Sequence, residues 1–205
     1  MAFANYSDLQ SAIADFIDRS DISSVIPDFI DLAETGMNRE IRHWRMEKRA
    51  TASLDTQYSS LPDDFLEPIR MSLNTANTNT LEMVNAFQIS NLRAQNLNVT
   101  GRPVNFAISD GSIEVFPTPD TSYTLELLYY EKISPLSVVN SNWVLSNHPD
   151  AYLYGSLIHS APYLADDNRI QTWAALYQKA INDINSESER SKTSGSGRRM
   201  KIRSY

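Results

Sequence analysis

The chain has 205 residues and a mass of 23.2 kDa, with 41% apolar and 21% charged residues, a balance that allows one domain or two small ones and excludes disorder throughout. It holds no cysteine, which excludes a disulfide framework, a thiolate nucleophile and a cysteine-held zinc or iron–sulfur centre. The net charge of −7 conceals a split: from Arg190 to Tyr205 there are six bases and no acid, leaving 12 bases against 25 acids, a balance of −13, in the rest. An acidic body repels a polyphosphate backbone and does not suit tight, general nucleic-acid binding. No apolar run approaches the roughly 20 residues of a membrane helix, and the opening MAFANYSDLQ lacks the basic and apolar regions of a signal peptide. The expectation is a soluble protein made in a reducing compartment, with no membrane partner.

The first segment reads as a helix. Ser7 and Gln10 have capping-box spacing, and Leu9, Ala12, Ile13, Phe16 and Ile17 fall on one face, which is the helical period. Ser20-Asp21 marks its end. A second helix is expected to open at Pro27, a residue at home in the first turn because it has no amide to leave unpaired. Its apolar ridge is Phe29, Ala33, Met37, Ile41 and Trp44, and Arg39, Arg42, Arg45 and Arg49 recur at three- and four-residue spacing as a basic stripe on another face. Asp28, Asp31 and Glu34 near its start complement the helix dipole. Two such helices are expected to pack as an antiparallel hairpin.

From about residue 50 the period changes to two. Ala50, Ala52 and Leu54 mark one strand; Leu66, Ile69, Met71 and Leu73 mark a second after the Pro62-Asp63-Asp64 turn; Leu81, Met83 and Phe87 mark a third beyond a polar loop at Asn74–Thr80. A short helix is expected over Ala86–Asn96. Phe106 and Ile108 lead into Asp110-Gly111, and Ile113, Val115 and Phe116 return, the strongest short-range hairpin signal a sequence carries. Pro117 and Pro119 break that strand, and Tyr123, Leu125, Leu127 and Tyr129 form the next. Asn147-His148-Pro149 opens another helix over Ala151–Leu164, which Pro162 ends or kinks. Asp166-Asp167-Asn168 is expected to cap a last helix with apolar positions Ile170, Trp173, Ala174, Tyr177, Ile181 and Ile184. After Asn185 the apolar content collapses into Ser, Gly and charge, the composition of a flexible segment. No internal repeat is present.

These elements give an α+β fold: a helical bundle built from both chain ends, with an antiparallel sheet or small open barrel inserted between them and a flexible C-terminal tail. The expected divisions are 1–49 (N-terminal helical hairpin), 50–140 (β region), 141–187 (C-terminal helices) and 188–205 (basic tail).

Little here looks catalytic. The histidines His43, His148 and His159 share no metal-ligand spacing, and surface or cap positions account for all three. The carboxylate pairs Asp63-Asp64, Asp166-Asp167 and Glu126 with Glu131 are the candidates for glycosidase chemistry, yet each also fits a turn, a cap or the polar side of a strand. No glycine-rich phosphate loop occurs among six glycines, and Gly155-Ser156 lacks the second glycine of a nucleophile elbow. No catalytic residue, metal or cofactor is therefore expected. The Arg39, Arg42, Arg45 and Arg49 stripe could face phosphate, but the commoner reading is a solvated face or a salt-bridged contact with an acidic neighbour, and the acidic surface elsewhere suits an inter-subunit contact that closes a ring head to tail. The clustered tyrosines Tyr123, Tyr129, Tyr130, Tyr152, Tyr154 and Tyr163 read as core and interface material. The tail admits two readings, a disordered solubility segment or a peptide that orders on binding with its arginines as polar and Ile202 and Tyr205 as apolar anchors, and the apolar residues among the bases favour the second.

Several stretches resemble a known family. Val25-Ile26-Pro27-Asp28-Phe29-Ile30 running to Asn38-Arg39-Glu40-Ile41-Arg42, Ser60-Leu61-Pro62-Asp63-Asp64-Phe65-Leu66, Gly101-Arg102-Pro103, and Phe116-Pro117-Thr118-Pro119-Asp120 are similar to the head-to-tail adaptor (connector) proteins of short-tailed phages. So are Asn142-Trp143-Val144-Leu145, Asn147-His148-Pro149-Asp150 and Tyr152-Leu153-Tyr154-Gly155, continuing through Ala161-Pro162-Tyr163-Leu164 to Trp173. The resemblance runs over about residues 5 to 186. It implies a structural, non-enzymatic subunit of a dodecameric ring under the capsid portal, at the head–tail junction of the virion, assembled in the host cytoplasm. The ring would extend the channel through which genomic DNA passes without specific binding, and would dock the tail nozzle. It also implies that a C-terminal extension reaches the portal protein, which here means Arg198, Arg199, Lys201, Ile202, Arg203 and Tyr205. The readings set against it are a virion-associated peptidoglycan hydrolase and a nucleic-acid-binding module acting through the basic tail.

Overall fold

A computed structural model describes residues 3–19, 21–74, 79–97, 99–164 and 168–194. It contains two compact units: a helical unit made of the chain up to Trp44 and from Ile133 onward, and a β unit from Arg45 to Lys132. The α+β class is as expected from the sequence.

In the helical unit, α1 (Tyr6–Ile17) buries Leu9, Ala12, Ile13 and Ile17. Its cap is Asn5 rather than Ser7: the Asn5 side chain accepts from the Asp8 amide at 3.0 Å, while Ser7 lies inside the first turn. Asp18, at φ 56°, closes the other end. Helix α2 (Ile26–Glu40) starts with Pro27 in its first turn and buries Ile26, Phe29, Ile30, Ala33, Glu34 and Met37. It stops well short of Trp44. Asn185 takes over the next hydrogen bonds, accepting from the Arg42 amide and donating to the Glu40 carbonyl, both at 3.0 Å, and the Ser188 hydroxyl accepts from the Trp44 amide at 3.1 Å. Residues 41–43 therefore run extended, with Ile41 and His43 fully buried and Trp44 at the surface in a short 3-10 turn, Trp44–Met46.

Two short helices that no strong signal announced follow the β unit: α4 (Leu136–Val139) and α5 (Trp143–Asn147), the second capped by the Asn142 side chain, which accepts from the Val144 and Leu145 amides. Helix α6 (Pro149–His159) opens at Pro149 as expected and ends before Pro162, which sits in a 3-10 turn, Ala161–Tyr163. It is the centre of the unit: α1, α2, α5 and α7 (Arg169–Thr193) all pack on it, whereas α1 and α2 touch each other only lightly. Gly155 permits the closest approach, since a Cβ there would meet the Tyr177 ring at 3.0 Å and the Ala33 Cβ at 3.2 Å. Helix α7 continues two turns beyond Asn185, through a polar stretch whose composition signals flexibility. Ser188 is buried there as the next position of the Ile181–Ile184 ridge, and Arg190 and Lys192 in the last turn suit the dipole.

In the β unit two four-stranded sheets face each other. One has the order β1-β8-β3-β4, from β1 (Glu47–Leu54), β3 (Phe65–Leu73), β4 (Asn79–Thr80) and β8 (Tyr123–Glu131); the other has β2-β7-β6-β5, from β2 (Tyr58–Ser60), β5 (Glu82–Met83), β6 (Asn105–Ser109) and β7 (Ser112–Phe116). All pairings are antiparallel except β5 with β6, and the sheets close no barrel. The expected third strand divides at Leu81. The Leu81 amide donates to the Met71 carbonyl in one sheet and the Glu82 amide to Val104 in the other, so only Leu81 is buried, while Met83 and Phe87 are exposed. The core joins Leu54, Met71, Leu73, Leu125, Leu127 and Tyr129 of the first sheet to Phe106, Ile113 and Val115 of the second.

The hairpin falls where it was expected: Asp110 and Gly111 both take positive φ, 50° and 68°, the conformation a two-residue turn needs to match the strand twist. Helix α3 (Ala86–Gln95) lies on β6 and β7 with a full Asn85–Gln88 capping box. Arg93 pins it: the guanidinium pairs with Glu114 at 3.1 Å, donates to the Val115 carbonyl and lies over the Phe116 ring.

Candidate functional site

The four arginines of the expected stripe share no helix face, because α2 ends at Glu40. Arg39 stays exposed in the last turn of α2, and Arg42 donates from its guanidinium to the Asn38 and Ile41 carbonyls, closing the helix end. Arg45 sits in the 3-10 turn and Arg49 on β1, both exposed. The tail residues Arg198, Arg199, Lys201, Ile202, Arg203 and Tyr205 lie outside the described residues, as do Asp166 and Asp167.

Of the remaining candidate carboxylates, Asp64, Glu126 and Glu131 are held in structural pairings. Asp64 accepts from the Tyr129 hydroxyl at 2.8 Å and pairs with Lys48, which also meets Glu131 at 3.0 Å. Partial burial works to raise the Asp64 carboxyl, but the bonds from Lys48 and Tyr129 outweigh it and hold the group below the usual carboxylate range. Burial and the bond to Asp64 push Tyr129 up to about 12. Glu126 pairs with Arg70 at 3.1 Å. Five residues apart on one strand, Glu126 and Glu131 point to opposite faces and cannot flank one substrate.

The histidines divide differently from the expectation of surface and cap positions. His43 is fully buried, stacked on Trp143 with centroids 4.8 Å apart and tilted against Trp44 at 5.3 Å. His148 precedes α6, its Nε2 3.5 Å from a Glu187 carboxylate oxygen, and burial lowers the pKa of His159. Among the described residues no group of three His, Asp or Glu side chains is placed to hold a metal ion, and Ser156 is fully buried within α6.

A polar centre escaped the sequence reading. Glu34 is buried in α2, where its carboxylate accepts from the Leu136 amide at 2.8 Å and the Tyr152 hydroxyl at 3.1 Å. Asn142 in turn donates to the Tyr152 oxygen at 2.6 Å. Burial raises the Glu34 pKa, against the lowering effect of those two bonds, with Asp31 adding to the rise; burial and Glu34 raise Tyr152 likewise. The signal was the spacing Ile26, Phe29, Ile30, Ala33, Glu34, Met37, which puts a carboxylate in the buried stripe. The arrangement anchors the Ile133–Asn142 connection on α2 and offers no open site.

In the β unit a groove of about 200 Å³ opens between β1 and β2, with Ala50 and Ala52 on one side, Ser60 and Leu61 on the other and Leu125 and Leu127 at its base. A family model described as SU10 adaptor protein matches residues 4–200, spanning both units and α7. No curated protein matches the chain.

Proposed function

Starting from the fact that the chain belongs to the SU10 adaptor protein family, a family of structural adaptors that join phage head and tail components, we propose that it forms the ring beneath the capsid portal of a short-tailed phage. Twelve copies extend the channel for the genome and dock the tail nozzle, and the protein works without catalysis. The match over residues 4–200 carries this reading, because it takes in nearly the whole chain. The charge distribution supports it: a channel wall should not hold DNA, and a body of −13 disfavours phosphate contacts. Arg39 and Arg45 serve contacts between copies in the ring, facing acids of the next subunit.

Helix α7 leads into the basic segment, whose Arg198, Arg199, Lys201, Ile202, Arg203 and Tyr205 bind the portal. Ordering that segment costs about 1–2 kcal/mol per backbone residue, so attachment requires a preformed portal, and the free subunit is monomeric. The test is removal of residues 195–205, which spares α7 and its buried Ser188. The truncated chain should keep its circular dichroism spectrum and fail to co-purify with portal rings; retained attachment overturns the tail assignment. Virion density with other than twelve copies at the portal overturns the ring.

A further inference from the structure

Strand β1 differs from every other edge in the β unit. It is eight residues long, pairs regularly with β8 along its whole length, and among the described residues no backbone group bonds the other side of residues 48–54. The opposite edge of its sheet is blunted by Pro68, by two register shifts in β3 and by the short β4. In the second sheet the outer strands β2 and β5 have three and two residues. Proteins ordinarily protect a long edge with charge, proline, bulges or a cover, because unpaired N–H and C=O groups recruit another strand. The stretch Ala50-Thr51-Ala52-Ser53 carries none of these devices.

Two side-chain features lie beside this edge. On the inward face, where Leu54 reaches the core, the small side chains of Ala50 and Ala52 leave a groove of about 200 Å³ above the buried Leu125 and Leu127. A cavity of roughly 150 Å³ already admits benzene, so there is room for one or two branched aliphatic side chains. On the outward face Arg49 is exposed and pairs with no acid among the described residues; its neighbour across the ladder is Leu128.

We propose that β1 is a docking edge to which a strand of a second, non-identical protein adds, seating branched apolar side chains from alternate positions in the groove beside Ala50 and Ala52 and placing an acid against Arg49. Strand addition of this kind takes affinity from main-chain bonds and specificity from pockets at alternate side chains. A second copy of β1 is the wrong occupant. In the antiparallel self-pairing centred on Thr51, Ala50 faces Ala52, so the groove stays unfilled, and Arg49 meets Ser53 instead of an acid. The proposal draws on the adaptor reading only in taking the partner to be another virion component.

The probe is a capped peptide, Thr-Val-Glu-Val-Thr-Val-Thr, titrated into the full-length chain and followed by amide chemical shifts and hydrogen exchange. Shift changes and slowed exchange should concentrate at residues 48–54. Replacing the three valines by threonine should abolish them. Arg49→Glu should weaken binding about five-fold, the upper range for an exposed ion pair, and a peptide with Lys in place of Glu should restore it. No binding, binding away from β1, or equal binding of the all-threonine peptide overturns the proposal. Concentration-dependent protection of β1 without peptide identifies a second copy as the occupant and overturns it too. None of these results bears on whether the chain attaches to portal rings, so the two readings fail separately.

Discussion

In the helical unit Glu34, Tyr152 and Asn142 are drawn inward and paired, whereas in the β unit, among the described residues, no backbone group bonds the outer side of β1. The first arrangement specifies one packing, since every buried polar atom of that network would be costly without its partner. The second leaves bonding capacity unspent at the surface. For a protein that joins larger bodies the division is sensible: one unit holds a fixed shape, and the other presents an edge.

Truncation of equivalent leucines should expose the contrast most strongly. Leu157→Ala, fully buried in α6, should cost about 3–5 kcal/mol, while Leu127→Ala, at the base of an open groove, should cost about 2 kcal/mol, both by urea unfolding. Equal costs would remove the distinction between a closed and an open core. Gly155→Val drives a branched side chain into Tyr177 and Ala33 and should cost about 1–3 kcal/mol by the same measurement.

The buried carboxylate sharpens the contrast through pH. Because the folded Glu34 pKa is raised, its contribution is fully present below the unfolded value, about 4.3, and is lost as pH rises through the folded value. Glu34→Gln keeps an acceptor oxygen for Leu136 and Tyr152 and does not titrate. In thermal unfolding from pH 4 upward, the variant should gain on the native chain as pH increases; parallel curves would show that Glu34 carries no folding-linked proton. The smallest effect belongs to Arg49→Ala. As an exposed residue without an ion partner among the described residues, it should change chemical stability by about 0.5 kcal/mol or less, and a larger loss would mean that Arg49 serves the fold.

What was legible in advance was local. The Asp110-Gly111 hairpin needs only its own two residues to adopt positive φ, α6 opens at Pro149, and the alternation from Tyr123 to Tyr129 sets β8 and its inward face. Errors gathered where a distant residue supplied the missing bond. Helix α2 ends at Glu40 because Asn185 and Ser188, over 140 positions later, occupy the amides and carbonyl that would have extended it. One run of apolar residues became two strands because Leu81 bonds to one sheet and Glu82 to the other. The arginine stripe dissolved with the helix that was to carry it.

Composition, period and turn chemistry thus determined the α+β class, most element positions and the charge split between body and tail, because those follow from preferences within a few residues. Only the tertiary structure decided the helix ends, the division into two sheets, the burial of Glu34 and His43 and the open edge of β1. Each depends on which groups meet across long stretches of chain, and an unpaired amide or a half-filled core is settled by the neighbour that arrives.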